Sequence, residues 1–310
     1  MTAFGPGHGR DEQGRAAARR VEPPARALAW VSRQRGGAFV ERCEVLRGGT
    51  SSAMHVVTLR HGDGRIERVV LRRYVLPADP REPDVAAREA AALGVVDGIA
   101  VPTPTLLGSD LTGAEADVPA LLMTELAGRP VWEPSPRRRW CRALAEAIVA
   151  VHEAVVPPSA AIPAYVPHPQ RSYAVPRWAR DTSVWERAIE VAHEPTIDAP
   201  GCFIHRDLHP GNVLWNRSEL TGLVDWQHAS IGPAVVDVGH NRLNLFFSDE
   251  ALAELFTSTW ENVAGAAYDP WADIVAIIGA LDHLRDGPPP SRARETIERA
   301  LAAALSSTGA

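Results

Sequence analysis

An aspartate, an asparagine and a second aspartate follow one another closely in the second half of the chain, at Asp207, Asn212 and Asp225. An aspartate can take or orient the proton of a hydroxyl group, whereas an asparagine and an aspartate offer the oxygen ligands that Mg²⁺ prefers. Together they supply one side chain that can orient an attacking hydroxyl and two that can bind the Mg²⁺ ion of a nucleotide. The residue types therefore predict phosphoryl transfer.

The residues around Asp207 add to this prediction. The segment His205-Arg-Asp-Leu-His-Pro-Gly-Asn212 matches the kinase catalytic-loop string at every specified position. The alternative interpretation is that Asp, Asn and His only cap turns between strands, as these residues often do. A match at fixed spacing, followed by Asp225 after an apolar run, favours the functional interpretation.

Three short apolar runs, at 202–204, 213–215 and 222–224, must position these side chains. Their lengths and the polar residues between them predict strand, loop, strand, turn and strand. The three polar side chains would then lie at one end of the strands.

An antiparallel meander of three strands is predicted upstream, from residue 38 to residue 75. Its first turn could wrap a phosphate, because glycines let backbone N–H groups approach phosphate oxygens. Most turns of this composition have no ligand-binding role, so the prediction of a phosphate-binding turn depends on the catalytic-type loop downstream. The residues of this turn are Gly48, Gly49, Thr50, Ser51 and Ser52.

Arg72 lies in the third strand, at the point where kinases place a lysine that contacts the α- and β-phosphates. A helix predicted over 82–93 carries Glu89. On composition alone Glu89 is a solvated helix charge, but a strand facing this helix would pair it with Arg72. Because side chains alternate across a strand, Arg73 should face away from the cleft.

The remaining pattern predicts an α+β fold of two lobes, and the match of the catalytic loop to the kinase string implies that this two-lobed fold is protein-kinase-like. Strands at 105–108 and 120–126 complete a small antiparallel sheet with one helix, which makes residues 28–127 a nucleotide-binding N-lobe. Residues 128–310 form a larger, mainly α C-lobe with the catalytic loop and the acceptor site. Its predicted helices span 137–153, 177–194, 234–247, 249–264, 270–285 and 291–306.

From about residue 38 to residue 285 the chain resembles the aminoglycoside phosphotransferase/choline kinase family of the protein-kinase-like superfamily. The resemblance rests on the catalytic loop together with the segments Val224-Asp-Trp-Gln227, Gly232-Pro-Ala-Val-Val-Asp237, Leu122-Met-Thr-Glu-Leu126 and Arg88-Glu89. The Asp-Trp pair and the Gly-Pro-x₃-Asp run favour the branch that acts on small molecules.

The resemblance implies a role for each matching residue. Asp207 would be the base or orienter for the acceptor hydroxyl, and Asn212 and Asp225 would ligate Mg²⁺. Main-chain groups of Thr124 and Leu126 would hold the base of ATP or GTP.

The turn from Gly48 to Ser52 would lie over the phosphates, and Arg72, held by Glu89, would touch them. His205 would hydrogen-bond loop carbonyls, and Asp237 would anchor the following helix rather than do chemistry.

Two departures from the superfamily pattern stand out. All 32 basic residues are arginine, so the phosphate-binding lysine is replaced by Arg72. The strand-end triplet is Asp225-Trp-Gln, and the short run to Asp237 leaves no room for a protein-kinase activation segment.

Composition and charge argue against several classes of binding partner. A net charge of −6 gives no support for a nucleic-acid partner, and no apolar run is long enough for a membrane span. Three widely spaced cysteines fit no metal site and suit a reducing cytoplasm. Residues 1–27, rich in Gly, Arg, Pro and Ala, are predicted to be disordered.

The function favoured by the sequence is ATP-dependent transfer of a phosphoryl group to a hydroxyl of a small molecule. Residues 241–310 hold ten Asp and Glu against five Arg, which would attract a cationic acceptor such as an aminoglycoside-like antibiotic, although acidic helices usually just face solvent. The alternatives are a non-catalytic nucleotide-binding regulatory protein and a metabolic kinase for an amino-alcohol or sugar. The nucleotide preference, ATP or GTP, and the oligomeric state stay open.

Overall fold

A computed structural model describes most of the chain. The described residues are 21–46, 52–76, 84–167, 173–193, 201–281 and 291–308. They form the two lobes that the sequence predicts, a small β-sheet lobe followed by a larger helical lobe. None of the described helices is both long and apolar enough to cross a membrane.

The N-lobe is built on a five-stranded antiparallel sheet with the strand order β1-β2-β3-β5-β4. The first three strands pair in chain order, β1 with β2 and β2 with β3, as the predicted three-stranded meander requires, whereas β5 rather than β4 pairs with β3. The strands are β1 (Phe39–Val45), β2 (Ala53–Arg60), β3 (Ile66–Arg73), β4 (Leu106–Asp110) and β5 (Ala120–Thr124).

One face of this sheet packs on a helix that the sequence interpretation missed, α1 (Ala25–Gln34). The prediction of disorder up to residue 27 is therefore wrong for the last residues of that segment, and the N-lobe has two described helices rather than one. Ala27, Trp30 and Val31 are fully buried, and their spacing is the signal that could have revealed the helix. Residues 1–20 lie outside the described part of the chain.

The other face of the sheet is turned towards α2 (Val85–Val95) and the C-lobe. Strand alternation places the side chains of Arg72 and Arg73 on opposite faces, since these residues pair with Leu121 and Ala120 of β5. Arg72 consequently belongs to the face that meets the C-lobe.

Helices make up most of the C-lobe. They bury Trp140, Leu144 and Ile148 in one apolar core and Trp185, Ile274 and Leu301 in a second. The described helices are α3 (Arg137–His152), α4 (Thr182–His193), α5 (Val235–Ser248), α6 (Glu250–Ala264), α7 (Trp271–Gly279) and α8 (Ser291–Thr308).

The catalytic-type segment runs through two small sheets rather than one. Strand β7 (Cys202–Ile204) pairs with β10 (Ser230–Gly232), whereas β8 (Val213–Asn216) pairs with β9 (Glu219–Leu223) and with β6 (Arg129–Pro130). The three predicted strands are present. The short strands β6 and β10, which tie them to the rest of the chain, were not predicted.

Candidate active site

The loop after β7 is fixed to α5 through its backbone. The carboxylate of Asp237, which is 1% exposed, accepts hydrogen bonds from the backbone N–H groups of His205 (2.9 Å) and Arg206 (2.6 Å). Arg206 adopts the left-handed conformation with φ 70°, which is strained for a side chain other than glycine. Asp237 therefore holds the strained loop against α5, a more specific role than the predicted anchoring of a helix.

A histidine from α3 completes this anchor. His152 Nε2 lies 3.0 Å from Asp237 Oδ2. Burial favours the neutral carboxyl, but the hydrogen bonds from His152 and His205 outweigh it, so the pKa of Asp237 is lowered. The buried anchor is thus a charged one.

His205 supports the loop with its ring, as predicted. Its Nε2 donates to the carbonyl of Val224 at 3.0 Å, and its Nδ1 accepts from the backbone N–H of Asp207 at 3.3 Å. The ring also packs against Trp226, with 4.4 Å between centroids. The imidazole thereby joins the loop to the strand that leads to Asp225.

Asp207 stands at the tip of this loop, and its side chain is 28% exposed. Its Oδ1 lies 3.2 Å from His240 Nε2, and its Oδ2 accepts from Asn212 Nδ2 at 3.2 Å. Burial alone would raise the pKa of Asp207. The hydrogen bond from His240, with His209 and His228 nearby, outweighs burial and holds that pKa well below its usual range. The carboxylate is therefore ionised and suited to accept hydrogen bonds from a hydroxyl.

Asn212 lies beside Asp225 because the two chain segments are hydrogen-bonded. The N–H of Val224 donates to the carbonyl of Asn212 at 3.0 Å. The side-chain N–H₂ of Asn212 is directed to Asp207, with 2.9 Å to its carbonyl oxygen, so the amide oxygen of Asn212 is left for another ligand. Asp225 adopts φ 72°, again a strained conformation, and its side chain is 23% exposed.

These two side chains fit Mg²⁺. Both offer hard oxygen donors, and Asp225 keeps one oxygen beyond the one that contacts Arg72. Within the described residues no cluster of three His, Cys, Asp or Glu could hold a metal. A pair of oxygen ligands completed by substrate phosphates is the usual arrangement for Mg²⁺, which seldom occupies an all-protein cage.

Arg72 is the centre of a buried ionic network. Its guanidinium is 2% exposed and donates to Glu89 Oε1 (2.7 Å), to Asp225 Oδ1 (2.8 Å) and to Gln227 Oε1 (3.0 Å). Burial opposes its charge, but the carboxylates of Asp225 and Glu89 outweigh burial and raise the pKa of Arg72. The predicted pair of Arg72 and Glu89 is present, and the contacts with Asp225 and Gln227 are additional.

Arg73 belongs to a different environment. It extends from the opposite face of the sheet and donates to Asp117 Oδ2 at 3.0 Å. It therefore has no part in the network around Asp225.

The predicted hinge is partly committed to the fold. The N–H of Thr124 donates to the carbonyl of Thr105 at 3.0 Å, so this group is not free for a nucleotide. Thr221 Oγ1 donates to the carbonyl of Ala127 at 2.5 Å and fixes the hinge to β9. Leu126 remains the better candidate for a main-chain donor to a base.

The predicted phosphate loop falls largely outside the described residues. This applies to Gly48, Gly49, Thr50 and Ser51. Ser52 is described, and its buried hydroxyl has no hydrogen-bond partner among the described residues.

Several side chains near the site escaped the sequence interpretation. His240 contacts Asp207, and Gln227 contacts Arg72. Arg88 Nε donates to the carbonyl of Gln227 and ties α2 to the segment after Asp225. The one available signal was helical spacing, since His240 follows Asp237 by three residues and so shares its side of α5.

The described acidic residues of the segment 241–310 already have partners within the C-lobe. The eight that the structure describes within 241–308 each contact an arginine, a tyrosine, a tryptophan or a backbone N–H group elsewhere in the C-lobe. They are Asp249, Glu250, Glu254, Glu261, Asp269, Asp273, Glu295 and Glu298.

The fold and the site define a phosphotransferase of the two-lobed, kinase-like type. The chain belongs to the phosphotransferase enzyme family, which matches residues 42–274. This membership confirms the predicted family and the predicted enzyme class, a phosphotransferase with an alcohol group as acceptor. A comparison with curated proteins finds no match.

Solved structures of similar fold are themselves phosphotransferases. A thermostable mutant of aminoglycoside phosphotransferase APH(4)-Ia, in a ternary complex with ADP and hygromycin B, gives a TM-score of 0.58 at 14% identity, covering 91% of this chain and 98% of that one. Macrolide 2'-phosphotransferase MphH from Brachybacterium faecium gives 0.56 at 18% identity, over 89% of this chain and 97% of that one.

The GDP complex of a mutant aminoglycoside 2'-phosphotransferase-IIIa gives a TM-score of 0.59 at 16% identity, over 91% of this chain and 97% of that one. At these identities the likeness concerns the fold. It confirms the predicted two-lobed architecture.

Proposed function

We propose that this protein transfers the γ-phosphoryl group of ATP to a hydroxyl group of a small molecule, with Asp207 facing the acceptor and Asn212 and Asp225 facing the nucleotide. The observation that carries the proposal is the chain of contacts from Asp207 through Asn212 to the segment of Asp225. These contacts hold Asp207, which would face the acceptor, and the two proposed metal ligands in one rigid unit.

Asp207 acts mainly by orienting the hydroxyl. Its lowered pKa makes it a weak base, but it also keeps the carboxylate ionised, so that both oxygens can accept hydrogen bonds from a hydroxyl. This suits a loose phosphoryl-transfer transition state, in which positioning and charge stabilisation matter more than early removal of the proton.

The nucleotide lies between the lobes in this proposal. Leu126 and the remaining main-chain group of Thr124 hold the base, whereas the turn from Gly48 to Ser52 covers the phosphates. Arg72 contacts the phosphates while Glu89 holds its guanidinium. Mg²⁺, held by Asn212 and Asp225, supplies positive charge to the phosphate oxygens.

The acceptor is best sought among antibiotics and related hydroxyl compounds. The three thiols of Cys43, Cys141 and Cys202 are free, and we place the protein in a reducing cytoplasm, where an antibiotic kinase would confer resistance. A cationic, aminoglycoside-like acceptor would be drawn by the long-range field of the net charge of −6, most of which residues 241–310 carry, and not by a direct contact with the described carboxylates of that segment.

The test is ADP release from Mg·ATP, with Mg·GTP in parallel, against a panel of aminoglycosides, macrolides, peptide antibiotics, amino-alcohols and sugars. We expect at least one acceptor to stimulate release in the wild type but not in Asp207→Ala. If Mg·ATP raises the melting temperature but no acceptor stimulates release, the non-catalytic nucleotide-binding alternative replaces this proposal.

A further inference from the structure

The carboxylate of Asp207 has a partner that lies outside the catalytic loop. We propose that His240 of α5 is a positioning residue for phosphoryl transfer, which acts by fixing the side chain of Asp207. This inference rests on the proposed function, because it assigns Asp207 to the acceptor hydroxyl. It adds His240, a residue outside the catalytic loop 205–212, to the proposed site.

The two oxygens of Asp207 are held from opposite sides. His240 Nε2 lies 3.2 Å from Oδ1, and Asn212 Nδ2 lies 3.2 Å from Oδ2. With both partners the plane of the carboxylate is fixed, and each oxygen keeps a further lone pair for a hydroxyl. Without His240, Asn212 Nδ2 would be the one remaining partner of the carboxylate among the described residues, and Oδ1 would be free to move.

The arrangement of α5 explains how one helix can position the whole loop. Asp237 and His240 are three residues apart and so lie on the same side of the helix. Asp237 binds the backbone N–H groups of His205 and Arg206, whereas His240 binds the side chain that follows them. The loop backbone and the carboxylate of Asp207 are thus both held in position by α5.

The neighbouring imidazole of His209 does not duplicate this contact. Its Nδ1 already accepts a hydrogen bond from the backbone N–H of Gly211 at 3.0 Å. Burial lowers the pKa of His209 to about 4, so its ring is uncharged at neutral pH. Its centroid lies 6.0 Å from that of His240. His240 therefore supplies a contact to Oδ1 that His209 does not make.

The pair is also accessible enough to act on a bound acceptor. The side chains of His240 and Asp207 are 30% and 28% exposed, unlike the fully buried ring of His205. A histidine needed only for packing would be expected in the core, with its nitrogens bonded to backbone groups. Here the imidazole is directed to the one carboxylate that the proposal assigns to the hydroxyl.

The test compares His240→Leu, which removes the donor, with His240→Gln, whose amide can donate over a similar reach. His193→Ala serves as the control, because His193 is an exposed helical histidine at the end of α4. For each variant kcat, the KM for Mg·ATP, the KM for the acceptor and the melting temperature are measured, with wild type and Asp207→Ala alongside.

We expect His240→Leu to lower kcat about 10- to 30-fold, as loss of a hydrogen bond to a charged group predicts, with both KM values nearly unchanged. His240→Gln should recover most of this loss, and His193→Ala should match wild type. Because Asp207 keeps its place in the fold, the melting temperatures should stay close to that of wild type.

Three outcomes would overturn the inference. A wild-type kcat in His240→Leu would show that the contact does nothing for transfer, while the proposed function would stand. A rise in the acceptor KM alone would make His240 a binding residue instead. Absence of acceptor-dependent turnover in wild type would remove the proposed function and this inference together.

Discussion

Arg72 and Asp225 are 153 residues apart in the chain, and the guanidinium of the first contacts the carboxylate of the second at 2.8 Å. The same guanidinium reaches Glu89 and Gln227. A lysine ammonium is a compact charge, whereas the planar fork of arginine can address several oxygens at once. Arg72 thus connects helix α2, through Glu89, with the N-lobe sheet and with the candidate metal ligand Asp225.

The first prediction concerns this arginine. Arg72→Ala should weaken ATP binding and turnover strongly, because it removes the proposed phosphate contact and leaves Glu89 buried without its ionic partner. Arg73→Ala is the matched control and should be mild, since Arg73 pairs with Asp117 on the opposite face of the sheet, away from Asp225. Arg72→Lys should retain partial activity because the charge stays. The measurements are the KM for ATP and kcat.

Glu89→Gln extends the same test. It should resemble a weaker form of Arg72→Ala, because the guanidinium keeps Asp225 and Gln227 but loses one ionic partner. If Arg73→Ala proved damaging while Arg72→Ala stayed near wild type, the assignment of Arg72 to the nucleotide would be wrong.

The second prediction concerns the metal ligands. Asp225→Asn should abolish the rise in melting temperature that Mg·ATP produces, because it removes charge from the proposed metal site. Asn212→Ala should reduce this rise less. Asp117→Asn is the control, since it also removes a carboxylate partner of an arginine but on the far face of the sheet.

When Mg²⁺ is omitted, ATP should raise the melting temperature of Asp225→Asn as little as it raises that of wild type. An undiminished response of Asp225→Asn to Mg·ATP would reject the metal role.

The third prediction concerns stability. Asp237→Asn should lower the free energy of unfolding by roughly 2–4 kcal/mol, because a buried charged acceptor of two backbone N–H groups is replaced by an amide. Urea unfolding at neutral pH measures this loss. Asp181→Asn, at an exposed site before α4, is the control and should have little effect.

The pH dependence of this loss follows from the lowered pKa of Asp237. The stabilisation is present above about pH 4, the usual range of an aspartate, and is lost as the pH falls through the lowered value. The difference between Asp237→Asn and wild type should therefore shrink in acid. A constant difference, or none at pH 7, would show that the loop is not held by this charge.

The sequence predicts the parts of the site that depend on local order. The catalytic loop has fixed spacing, so its residues reach one place together. Strand alternation likewise separates Arg72 from Arg73. The structure shows this separation directly, with Glu89 on one face and Asp117 on the other.

The parts that were missed depend on contacts between distant segments. The approach of His240 to Asp207 requires the packing of α5 against the loop, which no local pattern specifies. The same holds for Gln227, whose contact with Arg72 joins the two lobes. The acidic composition of residues 241–310 was a weaker guide, because composition does not show which carboxylates already have partners.

The fourth prediction separates the acceptor classes. If net charge draws a cationic acceptor, kcat/KM should fall as salt rises past roughly 0.15 M, where the Debye length is near 8 Å. A neutral sugar tested in parallel is the control and should show no such fall. Neutral or anionic acceptors turning over best, without salt dependence, would reject the cationic interpretation.

The most direct test of the central claim is kcat for Asp207→Ala with the best acceptor from the panel. We expect a fall of about 10²–10⁴-fold, the usual effect of removing a side chain that orients the attacking hydroxyl and accepts its proton as transfer proceeds. The KM for Mg·ATP should change little, because the proposal places Asp207 beside the acceptor and not beside the nucleotide. A kcat within about threefold of wild type would contradict the assignment of Asp207, and with it the proposed site of phosphoryl transfer.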